Sequence, residues 1–179
     1  MTNRYVAFLR AVNVAGHGRV TMEALSRAFA RRGCERVRTW IQSGNVLFDA
    51  PGRDREALAR DLEEHLAKLL GGEAVVCLRT LRQLEGLVRR DPFAGHRRDR
   101  DAKLYVTFLR RSPSRRPPPG AGNGKDGLEV IGRDGLDVFV VSRPVKGRRG
   151  FPNLLVEEAF GVPGTSRNWN TVSAVLDLA

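Results

Sequence analysis

Cysteine and histidine are scarce. Cys34 and Cys77 are the only cysteines, His17, His65 and His96 the only histidines, and none falls in a C-x-x-C or H-x-x-x-H spacing. That excludes a disulfide framework and leaves zinc without an obvious ligand set. Cys77 lies inside "AVVCL", a buried-strand pattern, so both thiols read as reduced structural residues. Long apolar runs are missing too: "YVAFL" is bracketed by Arg4 and Arg10 and is far shorter than a membrane span or a leader core. A cytosolic protein away from the membrane is expected, with no metal and no cofactor. Catalytic signatures are equally absent, since there is no G-x-S-x-G elbow, no activated-cysteine context and no spacing that forces two carboxylates together. No catalytic residue is assigned, and the enzyme question stays open.

Positive charge is abundant. The 179 residues hold 31 Lys and Arg against 20 Asp and Glu, a net charge of +11. A basic surface attracts nucleic acid or phosphate over long range. However, 27 of those 31 are Arg, spread along the chain beside many Ala and Gly, as a GC-rich coding bias would also give. Charge therefore leaves two readings, a scattered Arg surface and a nucleic-acid face.

Period-2 apolar patterns predict strands at 5–10, 37–42, 45–50 and 74–79. Between them, Thr21 caps a helix with Met22, Leu25 and Phe29 on one face, ended by Gly33. A second helix over 53–70 puts Leu58, Leu62, Leu66 and Leu69 on one stripe and stops at Gly71-Gly72. Strand, helix, strand, strand, helix, strand is the ferredoxin-like order, with "QSGN" as the hairpin turn. In that topology the loop after the first strand and the Gln42–Asn45 turn lie at one end of the sheet.

A helix over 81–90 ends at Asp91-Pro92, and a strand follows at 104–110. "YVAFLR" (5–10) and "YVTFLR" (105–110) agree at five of six residues, and each precedes a hairpin-like segment, 40–48 and 130–139. The pattern predicts a diverged duplication, an α+β chain of two ferredoxin-like (βαββαβ) subdomains, 1–80 and 81–179, the second incomplete. Where its first helix would fall, the 111–127 stretch carries Pro113 and Pro117 to Pro119 and few apolar residues, so a mobile loop is expected. Helices return at 153–160 and 168–178, the last with Trp169, Val172 and Leu176 on one face. Both alternating sets of each repeated strand are apolar, so both faces of each sheet should be covered.

Three stretches are candidate sites. "RAVNVAGHGRVTMEAL" (10–25) sets Asn13, Gly16, His17 and Arg19 near a helix N-terminus, a frame for an anion, with Gln42, Ser43 and Asn45 of the hairpin nearby. It lacks the third glycine of G-x-G-x-x-G and any P-loop, so a plain connector with glycines at positive φ explains it equally. "SRPVKGRRGFPN" (142–153) gathers Arg143, Lys146, Arg148 and Arg149 ahead of a helix that begins near Pro152 and holds Asn153. "GTSRNWNTV" (164–172) surrounds Arg167 and Trp169 with Thr165, Ser166, Asn168 and Asn170; capping and a core Trp absorb most of it, leaving Arg167 to pair with Glu157 or Glu158 or to face a ligand with the 146–149 cluster. Trp40 could stack RNA, but "SGNVLFDA" is no RNP1 motif.

"FLRAVNVAGHGRVTMEAL", "RTWIQSGNVLF" and "FPNLLVEEAFGVPGTSRNWNTV" together resemble the bacterial domain of unknown function 1697 family over nearly the whole chain. The resemblance implies two ferredoxin-like plaits and no established activity. Similar proteins tend to have glycine where Ala11 and Ala15 stand, lysine where His17 and Arg19 stand, and a helix across 111–127. The sequence thus leads to a small anionic ligand, a nucleotide or phosphometabolite, held between loop 13–19 and loop 146–149 with Arg167. Nucleic-acid binding and an enzyme of unknown reaction are the alternatives.

Overall fold

Strands β1 (Thr2–Leu9) and β5 (Lys103–Leu109), which carry the repeated YVxFL segment, hold the same place in two separate four-stranded antiparallel sheets. The computed structural model describes residues 2–10, 20–40, 44–52, 54–113 and 125–178. The chain forms two compact units, Met1–Glu85 with Ala174–Ala179, and Gly86–Ser173.

In the first unit β1 is followed by α1 (Met22–Arg31), β2 (Glu35–Trp40), β3 (Asn45–Pro51), α2 (Arg55–Leu70) and β4 (Val76–Thr80), with sheet order β2-β3-β1-β4. Thr21 caps α1 by accepting from the Ala24 N–H at 3.1 Å, and Asp54 caps α2 through Glu56 N–H, also at 3.1 Å. Leu25, Ala28 and Phe29 of α1 and Leu58, Ala59, Leu62 and Leu66 of α2 bury their stripes on the face of β1 that shows Tyr5, Ala7 and Leu9. Leu69, expected on that stripe, is exposed, and Leu70, four residues after Leu66, packs against the core in its place. On the other face Val6, Phe8, Leu47 and Cys77 are also buried, so both alternating sets of β1 are covered.

Next come α3 (Leu81–Arg90) and β5. Thr80 and Gln83 form a capping box at the start of α3: Thr80 Oγ1 accepts from Gln83 N–H at 3.2 Å, and Gln83 Oε1 from Thr80 N–H at 2.9 Å. Then come β6 (Leu128–Asp134), β7 (Asp137–Ser142), α4 (Pro152–Phe160) and β8 (Gly164–Asn168), which with β5 give the sheet order β6-β7-β5-β8, and last α5 (Trp169–Leu176). Residues 114–124, the centre of the expected Pro-rich loop, lie outside the described residues.

The second sheet has four strands. Its last strand, β8, lies in "GTSRN", where the sequence pointed to a helix cap. Thr165 and Ser166 are buried in the sheet, and only Asn168 caps α5, accepting from Asn170 N–H at 3.0 Å. Polar residues are stable there because Ser166 Oγ meets Thr107 Oγ1 at 2.7 Å, and Asn153 of α4 accepts the Ser166 N–H at 2.8 Å. Trp169 is the expected core anchor, edge-to-face on Phe93 at 5.2 Å. On α5 the third buried position is Val175 rather than Leu176.

The two sheets repeat their register. Val6 faces Arg79 and Leu47; Val106 faces Arg167 and Phe139. Leu9 N–H donates to Gly44 O and Leu109 N–H to Leu136 O, both at 2.8 Å. Each edge pair is interrupted by a bulge at the same step, between Glu35 and Arg38 in the first and between Val130 and Gly132 in the second. Even the buried arginines match: Arg79 donates to Leu78 O at 2.7 Å, and Arg167 to Ser166 O at 2.9 Å.

Candidate functional site

The repeated frame differs most visibly where the second β3-like strand leaves its sheet. In the first unit three residues, 52–54, join β3 to α2; in the second, nine residues, 143–151, join β7 to α4. Those nine contain the basic cluster.

Arg143 anchors the segment. Its Nε donates to Asp99 Oδ2 at 2.7 Å, its Nη1 to Glu129 Oε2 at 2.8 Å, and its backbone N–H to Gly127 O at 2.8 Å. The Asp99 and Glu129 carboxylates push the Arg143 pKa further up, and the Arg143 guanidinium holds the Asp99 carboxyl below its usual value. The chain then turns in a tight hairpin closed by Val145 N–H to Arg148 O at 2.8 Å and Arg148 N–H to Val145 O at 3.0 Å. Its two apex residues, Lys146 (φ 48°) and Gly147 (φ 75°), both have positive φ, as a type I′ turn requires. Asn or Asp usually precedes glycine there, so a lysine held left-handed marks the apex as unusual.

Arg149 ties the return strand down, donating to Asp101 O at 2.6 Å and Ser142 O at 2.9 Å. Gly150 sits so close to the start of β6 that a Cβ would lie 2.8 Å from Asp126 O. The outcome is an open depression of about 620 Å³ lined by Asp126, Val145, Lys146, Arg148, Arg149 and Gly150. Its lining thus holds three cationic residues and one acidic one. Lys146 and Arg148 are exposed and have no side-chain partner among the described residues. Such a surface suits an anion, and its size lies within the range of small-ligand sites.

The other expected site residues divide by position. Asn13, Gly16, His17, Arg19, Gln42 and Ser43 lie outside the described residues. Asn45 belongs to the first unit, is buried in β3, and donates to Trp40 O at 3.1 Å. Asn153 and Asn168 carry the structural bonds given above, and neither lines the depression. Arg167 is buried in β8, where it donates to Thr165 Oγ1 at 2.6 Å. Lys146, Arg148 and Arg149 are therefore the expected residues that meet around one depression. Arg143, which the sequence grouped with them, is spent on Asp99 and Glu129. Asp126 and Gly150 were missed, because nothing local in the sequence signals that the start of β6 packs on the hairpin. Among the described residues no helix is long and apolar enough to cross a membrane.

The chain is similar to known proteins in two respects. The family described as "Protein of unknown function (DUF1697)" matches residues 1–133. The structure of the conserved bacterial protein SP0830 from Streptococcus pneumoniae is similar in fold, with a TM-score of 0.68, 22% identity, and 99% of each chain covered. Comparison with the curated proteins gives no match.

Proposed function

The chain belongs to the DUF1697 family of proteins of unknown function, and since that membership assigns no activity, we propose from the hairpin itself that the protein binds a small phosphate-bearing ligand at Lys146, Arg148 and Arg149. One observation carries this reading. The second half departs from the repeated frame by a nine-residue connector where the first has three, and the additional residues bring in the cations of the depression. Arg149, held by two carbonyls, is a fixed charge in the lining, while Lys146 and Arg148 are available to close on an anion. The matching registers, the βαββαβ order of the first unit and the like sheet orders support a finer reading of the fold, two ferredoxin-like plaits related by duplication.

Isothermal titration with inorganic pyrophosphate tests the proposal. Replacing Lys146 and Arg148 together by Glu is expected to weaken binding at least tenfold and to leave the melting temperature within about 2 °C, since exposed charges add little to stability. Equal affinity in the double variant would sink the assignment. Net charge makes nucleic acid the competing occupant, and salt separates the two. A strand neutralised at ~6 phosphates loses affinity with a log-log slope of about −5, whereas a ligand met by two or three cations falls far less steeply.

A further inference from the structure

Four large apolar side chains are exposed among the described residues, and three of them, Val145, Phe151 and Leu154, fall within ten residues of one another around the basic hairpin. Phe151 follows Gly150, the last residue lining the depression, and is 57% exposed. Its ring is nevertheless positioned. It meets Tyr105 edge-to-face at 5.8 Å with an interplanar angle of 79°, and its extended backbone (φ −112°, ψ 129°) is fixed by Pro152 at the start of α4. Leu154, 68% exposed, stands three residues on, in the first turn of the same helix.

An aromatic ring held by Tyr105 yet more than half exposed, directly after Gly150 of the depression and three residues after Arg148 in the chain, fits a ligand with two different ends. Cations alone would suit phosphate or sulfate equally; an exposed Phe adds nothing to them. A planar base has a π-face for the ring, and its phosphates supply charge for Lys146 and Arg148. Building on the phosphate-binding reading above, we infer that the ligand is a nucleotide, with its base stacked on Phe151 and its phosphates on the hairpin.

The test compares inorganic pyrophosphate with ADP on the full chain, by isothermal titration at low and at physiological salt. ADP is expected to bind at least tenfold more tightly than pyrophosphate. Phe151→Leu, which keeps an apolar side chain at the start of α4 but removes the π-face, is expected to erase that advantage while leaving pyrophosphate affinity unchanged. Phe151→Trp should retain or increase it, and near-equal melting temperatures for the three proteins would show that folding is not the cause. Equal affinity for ADP and pyrophosphate, or a Phe151→Leu loss shared by both, overturns the stacked base and leaves the phosphate site standing. Failure of both probes to bind overturns the phosphate site as well. A six-nucleotide single strand serves as the third probe: binding that depends on Phe151 for the strand and for ADP places the base within nucleic acid or a free nucleotide according to which is tighter.

Discussion

Gly127→Ala is expected to destabilise the second unit by about 4 kcal/mol and to abolish anion binding at the hairpin. Gly127 has φ +70°, and a Cβ there would lie 2.0 Å from Arg143 O and 3.0 Å from both Arg143 C and Val145 Cγ2. Two costs add. The left-handed backbone penalises any L side chain by roughly 1–2 kcal/mol, and overpacking against main chain adds about 1–3 more. The obstacle is a carbonyl, which cannot rotate away as the end of a side chain could. Relief therefore requires the 143–145 segment to move, breaking the Arg143 N–H to Gly127 O bond that seats the hairpin. Gly33→Ala isolates the first cost, because Gly33 has φ +76° but no atom within 4 Å of an added Cβ. Urea unfolding should show a loss of only about 1 kcal/mol for Gly33→Ala. If the two variants unfold alike, the close approach at Gly127 is not what holds the hairpin.

This contrast also shows why the frame was legible in the sequence and the site was only partly so. Strand and helix signals are local. Apolar alternation marked β1, β3 and β4, Thr21 marked the start of α1, and the five-of-six match between 5–10 and 105–110 pointed to paired strands that share one register. The Thr80-x-x-Gln83 capping box was an equally local signal that went unread. What failed was the reading of β8. Gly164 to Asn168 are polar, and hydroxyl and amide side chains before a Trp look like a cap. They form a strand because Thr107, from a strand 59 residues away in sequence, meets the Ser166 hydroxyl. No period within "GTSRN" encodes that partner.

The basic cluster shows the same division. A charge run can be counted, but not which of its members are already paired. Arg143 is taken up by Asp99, 44 residues earlier, and by Glu129, 14 earlier; Arg149 is taken up by backbone carbonyls. Only the fold separates these two anchored arginines from Lys146 and Arg148, whose side chains have no partner among the described residues. Phe151 went unnoticed for a related reason. Next to a helix start an aromatic reads as core, whereas this ring meets Tyr105 and still stays exposed.

In the first unit the largest expected effect is that of Asp49→Asn, a loss of about 3 kcal/mol at pH 7, or roughly 6–12 °C in melting temperature. Asp49 is buried in β3, with Arg4 Nη1 at 2.8 Å on one oxygen and the Arg36 guanidinium on the other. Arg36 reaches it because the β2 bulge lies there, with φ +47° turning that residue out of the ladder. Burial by itself would raise the Asp49 pKa; the hydrogen bonds and charges of Arg4 and Arg36 outweigh it and hold the carboxyl below its ordinary value of 3.8. A carboxylate whose folded pKa is lowered contributes stability in full above its unfolded pKa and loses it as pH falls through the folded one. The gap between wild type and Asp49→Asn should therefore be constant from pH 7 down to about pH 5, narrow below about pH 4, and close as the wild-type carboxyl itself is protonated. Arg36→Ala supplies the comparison: its side chain is 71% exposed, so removing it should cost about 1 kcal/mol or less. Most of the loss in Asp49→Asn comes instead from Arg4, only 15% exposed, left in the sheet without its counter-charge. Urea unfolding of all three proteins between pH 7 and pH 3 decides it, and a gap that persists unchanged at pH 3 would mean that packing of the Asp49 side chain, not its charge, fastens β1 to β3.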